Sequence, residues 1–326
     1  MTTFLSIDGG GSKCACVLYD SNMRLLGAGR SGGTNTTQNP PSVVRANIAK
    51  SLDEALKAAA PSEVEAFYYS IVGPADVLME EVQKRVRVKH VFPMSEPVAG
   101  LYAGSLSDSG ILAQAGTGSD IFWVRNGDRD FAYGNRTVVG SWGPILGDQG
   151  SGTWMGRMAL LEFVKASEGW GEKTLLSDLI REEFGLKNDY DLVTVIHSDP
   201  APFRKVASVT HLIGKAANMG DGFAKKILCD AGEVLARQAQ CLIERNAIPE
   251  DERIVTCSGG AWNAHVLMFE SFTAHLTKRF PEVVVKKPLF DCAMAGPVRI
   301  LLERGLSKKE TEAVIRARFP NYCIRW

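Results

Sequence analysis

A glycine-rich turn between two strands occurs twice in this sequence. The first turn reads Asp8-Gly9-Gly10-Gly11-Ser12-Lys13, and the second reads Gly116-Thr117-Gly118-Ser119-Asp120. Each leads into an alternating apolar segment that ends in a polar turn, at Asp20-Ser21-Asn22 and at Asn126-Gly127. Backbone N–H groups in such a turn can converge on an anion, because glycine has no Cβ and can adopt positive φ. Two such turns could hold a polyphosphate from two sides, which predicts a nucleotide site.

The prediction depends on the duplication, because a single glycine turn between strands is usually an ordinary hairpin connection. Neither turn is a P-loop, since the GxxxxGK[ST] pattern is missing and each turn leads into a strand rather than a helix. The GxGxxG fingerprint of dinucleotide-binding proteins is missing as well. The nucleotide site therefore belongs to a different class of fold.

Composition limits the size and the partners of the protein. A chain of 326 residues suits two domains, and 45% hydrophobic with 23% charged residues is typical of a soluble globular protein. Lys+Arg and Asp+Glu balance at 37 each, so no overall basic field exists to bind nucleic acid or an anionic membrane. No apolar run is long enough to span a membrane and no signal peptide is apparent, so we expect a cytoplasmic protein.

The cysteines and histidines predict no metal site. The seven cysteines lie mostly in apolar strand or helix patterns, and no CxxC pair occurs. Buried, reduced thiols are therefore expected. The five histidines show no spacing that suggests a metal site or a catalytic triad.

The chain alternates strands and helices, and its second half repeats the order of the first with more helix. We predict two domains, residues 1–107 and 108–306, with a seam near 106–109 and helix 307–326 as a candidate to complete the first domain. Beyond the two hairpins, the predicted strands are 24–29, 67–72, 90–92, 254–257 and 283–285. The predicted helices include 42–60, 153–168, 174–183, 204–218, 222–246 and 262–278.

Several motifs occur in the order found in the actin/Hsp70/sugar-kinase superfamily. The two glycine turns resemble its two phosphate motifs, and Ser258-Gly259-Gly260 after a late strand resembles its adenosine motif. The segment 140–151, Gly-Ser-Trp-Gly-Pro-Ile-Leu-Gly-Asp-Gln-Gly-Ser, resembles the one that marks N-acetylglucosamine kinases within the BadF/BadG/BcrA-type ATPase family. The resemblance implies an α/β fold of two ribonuclease-H-like (actin-like ATPase) domains with a nucleotide cleft between them.

The resemblance also implies the reaction. ATP and Mg²⁺ would bind, and the γ-phosphoryl group would pass to a hydroxyl of an amino sugar. We expect N-acetylglucosamine, phosphorylated at its 6-hydroxyl, while glucosamine and N-acetylmuramic acid remain open. We also expect a homodimer with this small-molecule sugar substrate, and no nucleic-acid or membrane partner.

The cofactor residues follow from the matched motifs. Asp8 would hold Mg²⁺ through water, although an aspartate before glycines can also serve as an Asx-turn residue. Lys13 could instead be a solvated side chain, and Gly259 with Gly260 could simply form a tight strand-to-helix turn. The residues implied to contact ATP are Gly10, Gly11, Ser12, Lys13, Gly116, Thr117, Gly118, Ser119, Gly259 and Gly260.

The implied catalytic base departs from the family. The family has an aspartate in a Thr-Asp-Ala type segment after a short strand, and this chain has Ser95-Glu96-Pro97 there. As general base, Glu96 would accept the proton of the sugar hydroxyl. Alternatively, its carboxylate only stabilises a helix N-terminus through the helix dipole. The longer side chain implies that the backbone or the sugar lies differently than in the family.

The acceptor side is implied by four residues: Asn35, Ser141, Trp142 and Asp148. Asn35 could instead be a loop turn residue, and Asp148 could cap the helix that follows it. We expect Trp142 to be a packing anchor rather than a stacking platform. Gln149 stands where the family usually has a glutamate, so this chain lacks the charge at that position.

Two other functions are weighed against the kinase. An ATPase that activates a radical dehydratase needs cysteines near the second phosphate motif for its iron–sulfur cluster, and no cysteine lies between Cys16 and Cys229. A non-catalytic, regulatory nucleotide-binding protein stays open, because a fold alone does not give a function. ATP binding without sugar-dependent ADP release would favour it.

Overall fold

The structure is a computed structural model that describes residues 1–125 and 137–324. The predicted turn at Asn126-Gly127 and the last two residues of the predicted helix 307–326 lie outside these ranges. The chain forms two compact units. The first contains Met1–Gly110 and residues 286–324, and the second contains Ile111–Trp123 and residues 137–285.

The elements of the described chain follow one another in this order. The strands are β1 (Thr3–Gly9), β2 (Cys14–Asp20), β3 (Leu25–Ser31), β4 (Glu63–Ile71), β5 (Arg87–Pro93), β6 (Gly110–Ala115), β7 (Ser119–Val124), β8 (Val138–Gly140), β9 (Ile254–Ser258) and β10 (Val284–Lys286). The α-helices are α1 (Pro41–Leu56), α2 (Ala75–Gln83), α3 (Glu96–Ser105), α4 (Gly143–Leu146), α5 (Gly152–Ser167), α6 (Leu175–Phe184), α7 (Asp191–His197), α8 (Pro202–Ser208), α9 (Thr210–Asn218), α10 (Gly222–Asn246), α11 (Val266–Arg279), α12 (Ala295–Glu303) and α13 (Lys308–Arg318).

The two sheets have the same strand order. The first is ordered β3-β2-β1-β4-β5, and the second, taken from its other edge, is ordered β8-β7-β6-β9-β10. In the first sheet β1 pairs antiparallel with β2 and parallel with β4; in the second, β7 and β8 are antiparallel while β6 and β9 are parallel. This duplicated order confirms the expected pair of ribonuclease-H-like domains.

The first unit has a core on each face of its sheet. Side chains of a strand alternate between faces, so Leu5 and Ile7 of β1 pack with α1 and α2, while Phe4 packs on the side of α12 and α13. On that second side, the Ser6 hydroxyl donates to the Ala293 carbonyl at 2.9 Å. The alternation therefore directs Asp8, two residues after Ser6, to the face of the sheet that receives the C-terminal segment.

The C-terminal part of the first unit begins earlier than the sequence predicted. The predicted second domain includes residues 286–306, but residues 286–324 belong to the first unit. Backbone hydrogen bonds from Leu289 to Gly104 and from Phe290 to Ala103, at 3.2 and 3.1 Å, fix the segment to the end of α3. At Gly296, a Cβ would lie 2.7 Å from the Ser6 hydroxyl oxygen, so α12 can lie directly against β1.

The second unit is mostly helical around its sheet. The predicted helix 222–246 is α10, whose buried face packs with α5, α9 and α11. The predicted helix 204–218 is divided into α8 and α9 at Val209. The predicted helix 262–278 begins at Val266 rather than Trp262, because Gly260–Asn263 form a 3₁₀ turn in which fully buried Trp262 donates to the Ala113 carbonyl at 3.1 Å.

All seven cysteines are free thiols. Cys14, Cys16 and Cys257 are buried as predicted, but Cys241 is exposed and the other three are partly buried. Among residues 1–125 and 137–324, no group of His, Cys, Asp and Glu is arranged to hold a metal ion by itself. In the same ranges, no helix combines the length and the apolar character needed to cross a membrane.

Candidate functional site

The first glycine turn is held in shape by the loop between β3 and α1. The Gly10 N–H donates to the Lys13 carbonyl at 2.9 Å, which closes the turn. The Thr34 N–H donates to the Gly10 carbonyl at 2.8 Å, and Asn39 Nδ2 donates to the Gly11 carbonyl at 3.3 Å. A Cβ built on Gly10 would have no protein atom within 4 Å. A ligand could therefore reach the backbone at Gly10, while the other side of the turn is buttressed.

Asp8 and Lys13 lie on either side of this turn and form an ion pair. Lys13 Nζ lies 3.3 Å from Asp8 Oδ2 and 2.8 Å from Asp291 Oδ2. Arg30 also contacts Asp291, with its Nη2 atom 3.1 Å from the same oxygen. Lys13 is therefore a paired cation beside the turn rather than a solvated side chain. Asp291 comes from a segment 278 residues further along the chain.

Burial and neighbouring charges shift the pKa values of this cluster. Burial raises the pKa of Asp8, and the nearby Lys13 ammonium offsets only part of that rise. Burial acts to lower the pKa of Lys13, but the carboxylates of Asp8 and Asp291 outweigh it, and the net pKa is raised. For Asp291 burial is opposed by Lys13 and by hydrogen bonds, and the net pKa is lowered. Lys13 and Asp291 are thus a charged pair.

The surroundings of Asp8 fit a hydrated magnesium ion. A hard carboxylate oxygen is the ligand type that Mg²⁺ prefers, and Mg²⁺ usually keeps several waters beside one or two carboxylates. A divalent cation next to Asp8 would also stabilise a carboxylate whose charge is disfavoured by burial. Asp8 provides the carboxylate ligand. The described residues offer no full set of protein ligands, and Mg²⁺ does not require one because it keeps several waters.

Glu96 lies at the same edge of the first sheet as Asp8. Ile7 is level with Tyr69 in β4, and Tyr69 is level with Pro93 in β5. Because these three strands are parallel, their carboxyl ends share one edge, the edge at which α/β sheets bind ligands. Glu96 is the first residue of α3 beyond that edge, and the Ser95 side chain makes no capping hydrogen bond.

Asn35 has the geometry of an Asx turn. Its Oδ1 accepts from the Thr37 N–H at 2.9 Å and from the Thr37 hydroxyl at 2.8 Å. The turn fixes the side chain and leaves Nδ2 as the group that could donate to a ligand. Both interpretations of Asn35, turn residue and sugar ligand, are therefore compatible with one conformation.

The second glycine turn is held by the start of α5. The Gly116 N–H donates to the Gly118 carbonyl, and the Gly152 N–H donates to the Gly116 carbonyl, both at 2.8 Å. The Thr153 hydroxyl donates to the Thr117 carbonyl at 2.7 Å. A Cβ on Gly116 would again meet no protein atom within 4 Å. Like the first turn, this one is buttressed on one side and open on the other.

Asp148 lies beneath the second turn, and Asp120 lies next to it. A Cβ on Gly118 would be 3.0 Å from Asp148 Oδ2, so the turn and the carboxylate are in close contact. The Ser141 hydroxyl donates to Asp120 Oδ1. Burial, together with the negative charge of Asp148, raises the pKa of Asp120 to about 6 although hydrogen bonds from Ser141 oppose the rise. Burial also raises the pKa of Asp148.

The loop that carries these residues has a strained backbone and an exposed apolar tip. Ser141 and Asp148 have positive φ values of 64° and 56°, which non-glycine residues rarely adopt. Asp148 does not cap α5, because Ser151 is the residue whose side chain accepts from the Trp154 N–H. Trp142 is 71% exposed, so the expectation that it is a packing anchor is wrong.

A cavity of about 700 Å³ lies in the second unit next to Gly260. One wall is α9, with Thr210, His211 and Lys215, and another is formed by residues 260–264. Gly260 could carry a Cβ without meeting any protein atom within 4 Å. Gly259 has a structural requirement instead, since its φ is 103° and a Cβ would lie 2.3 Å from the Ala115 carbonyl oxygen. Gly259 thus packs against the end of β6, which leads into the second glycine turn, while Gly260 lines a cavity large enough for a nucleoside.

A comparison with protein families decides the family of this chain. The model described as the BadF/BadG/BcrA/BcrD ATPase family matches residues 5–293. The chain belongs to this ATPase family. The matched range includes both glycine turns, the segment 140–151 and the Ser258-Gly259-Gly260 segment, so the resemblance inferred from the motifs is confirmed.

Two curated relatives of this ATPase family member match over nearly their whole length. An N-acetylmuramic acid/N-acetylglucosamine kinase from Clostridium acetobutylicum is 25% identical over 305 residues, which are 91% of this chain and 98% of that protein. An N-acetyl-D-glucosamine kinase from Dictyostelium discoideum is 24% identical over 314 residues, covering 91% and 97%. Both names describe phosphoryl transfer to an amino sugar.

Solved structures share the fold. A protein from Porphyromonas gingivalis has a TM-score of 0.69 at 18% identity, over 94% of this chain and 100% of that one. A ROK family glucokinase from Streptomyces griseus, solved with glucose and AMPPNP, has a TM-score of 0.55 at 14% identity, over 91% and 97%. At these identities the likeness shows the fold of this ATPase family member and no more.

Sequence reasoning missed two charged residues of the site. Asp120 directly follows the second glycine turn, and its position beside a motif could have identified it. Asp291 had no comparable signal, because its ion pair with Lys13 depends on the return of the chain to β1 after the whole second unit.

Proposed function

We propose that this protein is an ATP-dependent kinase that phosphorylates an amino sugar. The observation that carries the proposal is the pair of buttressed glycine turns, each open on one side at Gly10 or Gly116. The ion pair of Asp8 and Lys13 lies beside the first turn. A nucleoside-sized cavity lies next to the segment that follows β9 in the second unit. The curated relatives, both amino-sugar kinases by name, support the same function.

In this proposal the protein mainly positions ATP and the sugar and neutralises the charge of the phosphates. The cavity beside Gly260 takes the base and ribose of ATP. The N–H groups of Gly10 and Gly116 already donate to the Lys13 and Gly118 carbonyls, so other backbone N–H groups of the turns donate to the phosphates. Lys13 adds a positive charge at the first turn. Mg²⁺, held through water by Asp8, would supply charge neutralisation on the phosphates when bound. Preorganised donors of this kind stabilise charge in the transition state without reorganisation.

Glu96 is the proposed general base. Its place beyond the carboxyl edge of the first sheet, shared with Asp8, supports a role beside the reacting phosphate. There its carboxylate would accept the proton of the sugar hydroxyl as that oxygen attacks the γ-phosphorus. Asn35 Nδ2 and Asp148 are the proposed hydrogen-bonding groups for the sugar.

N-acetylglucosamine, phosphorylated at the 6-hydroxyl, is the proposed acceptor, and glucosamine is the second candidate. The specific reason for the second candidate is the neighbouring pair Asp120 and Asp148. Burial, and to a smaller extent the negative charge of Asp148, raises the pKa of Asp120 to about 6. A protonated sugar amine would neutralise this pair. The carboxylate of N-acetylmuramic acid would add a third negative charge, so we expect it to be the poorest of the three.

A coupled ADP-release screen over the three amino sugars and glucose tests the proposal. We expect ADP production above the sugar-free background with N-acetylglucosamine or glucosamine, and little with N-acetylmuramic acid. If ATP binds but no sugar raises ADP production, the kinase is refuted and a regulatory ATP-binding protein takes its place. The homodimer stays a prediction, and sedimentation of the same preparation measures it.

A further inference from the structure

We propose that Asp291 is a positioning residue that draws the Lys13 ammonium towards itself and so weakens its contact with Asp8, which keeps the Asp8 carboxylate available to a divalent cation. The inference rests on the proposed nucleotide site. Lys13 Nζ lies 2.8 Å from Asp291 Oδ2 and 3.3 Å from Asp8 Oδ2. The lysine is thus shared by two carboxylates, and the shorter contact is with the one that is not at the proposed metal position.

The Asp291 carboxylate is fixed by its own backbone surroundings. Its Oδ1 accepts from the Ala293 N–H at 3.0 Å and caps the 3₁₀ turn Cys292–Met294. The backbone N–H of Asp291 donates to the Tyr322 carbonyl at 2.9 Å. The other oxygen, Oδ2, is therefore directed at Lys13 and Arg30. Asp291 Oδ1 thus binds the backbone of the 3₁₀ turn, and Oδ2 binds the side chains of Lys13 and Arg30.

The charges of the cluster balance only while Asp291 is ionised. Asp8 and Asp291 supply two negative charges, and Lys13 and Arg30 supply two positive charges. If Asp291 loses its charge, Asp8 is the carboxylate that remains within ion-pair distance of Lys13 in the described chain. The ammonium would then pair with Asp8 alone, because a partly buried cation is stabilised by the nearest opposite charge. A divalent cation would have to displace it.

Asp291→Asn isolates this effect. The amide keeps an oxygen that can accept from the Ala293 N–H, so the cap of the 3₁₀ turn is retained while the charge is lost. The probe is Mn²⁺, titrated in the presence of ADP into the full-length protein and followed by electron paramagnetic resonance. We expect Asp291→Asn to weaken Mn²⁺ binding by roughly tenfold, the scale of one charge-assisted hydrogen bond.

Lys13→Met provides the decisive second variant. If Asp291 acts through Lys13, Asp291→Asn should have no further effect on Mn²⁺ affinity in the Lys13→Met background. With ADP at a concentration that saturates each variant, Lys13→Met alone should leave Mn²⁺ affinity equal to the wild type or higher, because the competing ammonium is gone, while phosphoryl transfer falls. This single variant also tests the proposal if Asp291→Asn fails to fold. A clear loss of Mn²⁺ affinity in Lys13→Met would refute it.

Glu81→Gln is the matched control. Glu81 is a buried carboxylate of the same unit that binds Arg45, Lys84 and Arg85, each with a closest contact of 2.7 or 2.8 Å. Its substitution removes a comparable set of ion pairs away from the turn, so Mn²⁺ affinity should not change.

The outcomes separate the two proposals. Normal Mn²⁺ binding to the wild type with unchanged affinity in Asp291→Asn, or an equal loss in both Lys13 backgrounds, overturns the role of Asp291 alone. Absence of ADP-dependent Mn²⁺ binding to the wild-type protein refutes the nucleotide site itself, and the Asp291 inference with it.

Discussion

Gly33 lies directly against the carbonyl oxygen of Gly11, at a distance that leaves no room for a side chain. A Cβ at Gly33 would be 1.9 Å from that oxygen, whereas a Cβ at Gly10 would meet no protein atom within 4 Å. Gly33→Ala should therefore lower the free energy of unfolding by about 1–3 kcal/mol through overpacking. Chemical denaturation measures this loss.

Gly10→Ala is the matched substitution on the open side of the turn. It should leave the free energy of unfolding within about 0.5 kcal/mol of the wild type, as expected for a site without steric conflict. ATP affinity, measured by calorimetry, should fall because the added methyl group occupies the space from which a phosphate approaches the backbone. Unchanged ATP affinity in Gly10→Ala would contradict the assignment of this turn.

Asp120 gives a pH dependence whose direction follows from its raised pKa. Its pKa of about 6 in the folded protein lies above the ordinary 3.8, mainly because of burial. The folded state therefore takes up an extra proton between these values, and the stability gained from it is present below 3.8 and lost as the pH rises through about 6. Asp120→Asn should become more stable relative to the wild type over this range.

Denaturation curves of the two proteins at several pH values between 4 and 7 measure the difference. If the wild-type and Asp120→Asn stabilities change in parallel, Asp120 does not titrate as described. The pair of Asp120 and Asp148 would then no longer support glucosamine as an acceptor.

Glu96→Gln tests the proposed base. Because base catalysis acts in the transition state, kcat should fall by roughly 10²–10⁴-fold while KM for the sugar stays within a few-fold. If Glu96 only stabilises the N-terminus of α3, the variant should lose about 0.3–1 kcal/mol of stability and keep its turnover. Steady-state kinetics beside thermal unfolding distinguish the two, and near-normal kcat would make Asp148 the next candidate.

Local pattern was enough to predict most strands and most helices, but it missed the short strand β8 (Val138–Gly140). The turn at Gly10 and Gly11 and the turn at Gly116 are encoded within a few residues, whereas the duplicated fold was expected from the family resemblance and its strand order was given only by the structure. The break at Val209 and the seven-residue helix α7 were missed, because such short helices depend on packing rather than on their own periodicity.

The charges of the site were harder to predict than its glycines. Asp8 was found because it adjoins its turn, but Asp291 reaches Lys13 only after the chain has formed the whole second unit and returned to β1. The exposure of Trp142 was also missed, since aromatic residues are usually buried and nothing local indicated the outward loop.

Phosphoryl transfer to the sugar is the central claim, and a product measurement tests it most directly. The protein would be incubated with ATP, Mg²⁺ and N-acetylglucosamine or glucosamine, and both ADP and sugar phosphate would be quantified by mass spectrometry. We predict that sugar phosphate forms in equal amount to ADP and that neither forms at a comparable rate without the sugar. ADP without sugar phosphate, or no ADP with any amino sugar, would contradict the account.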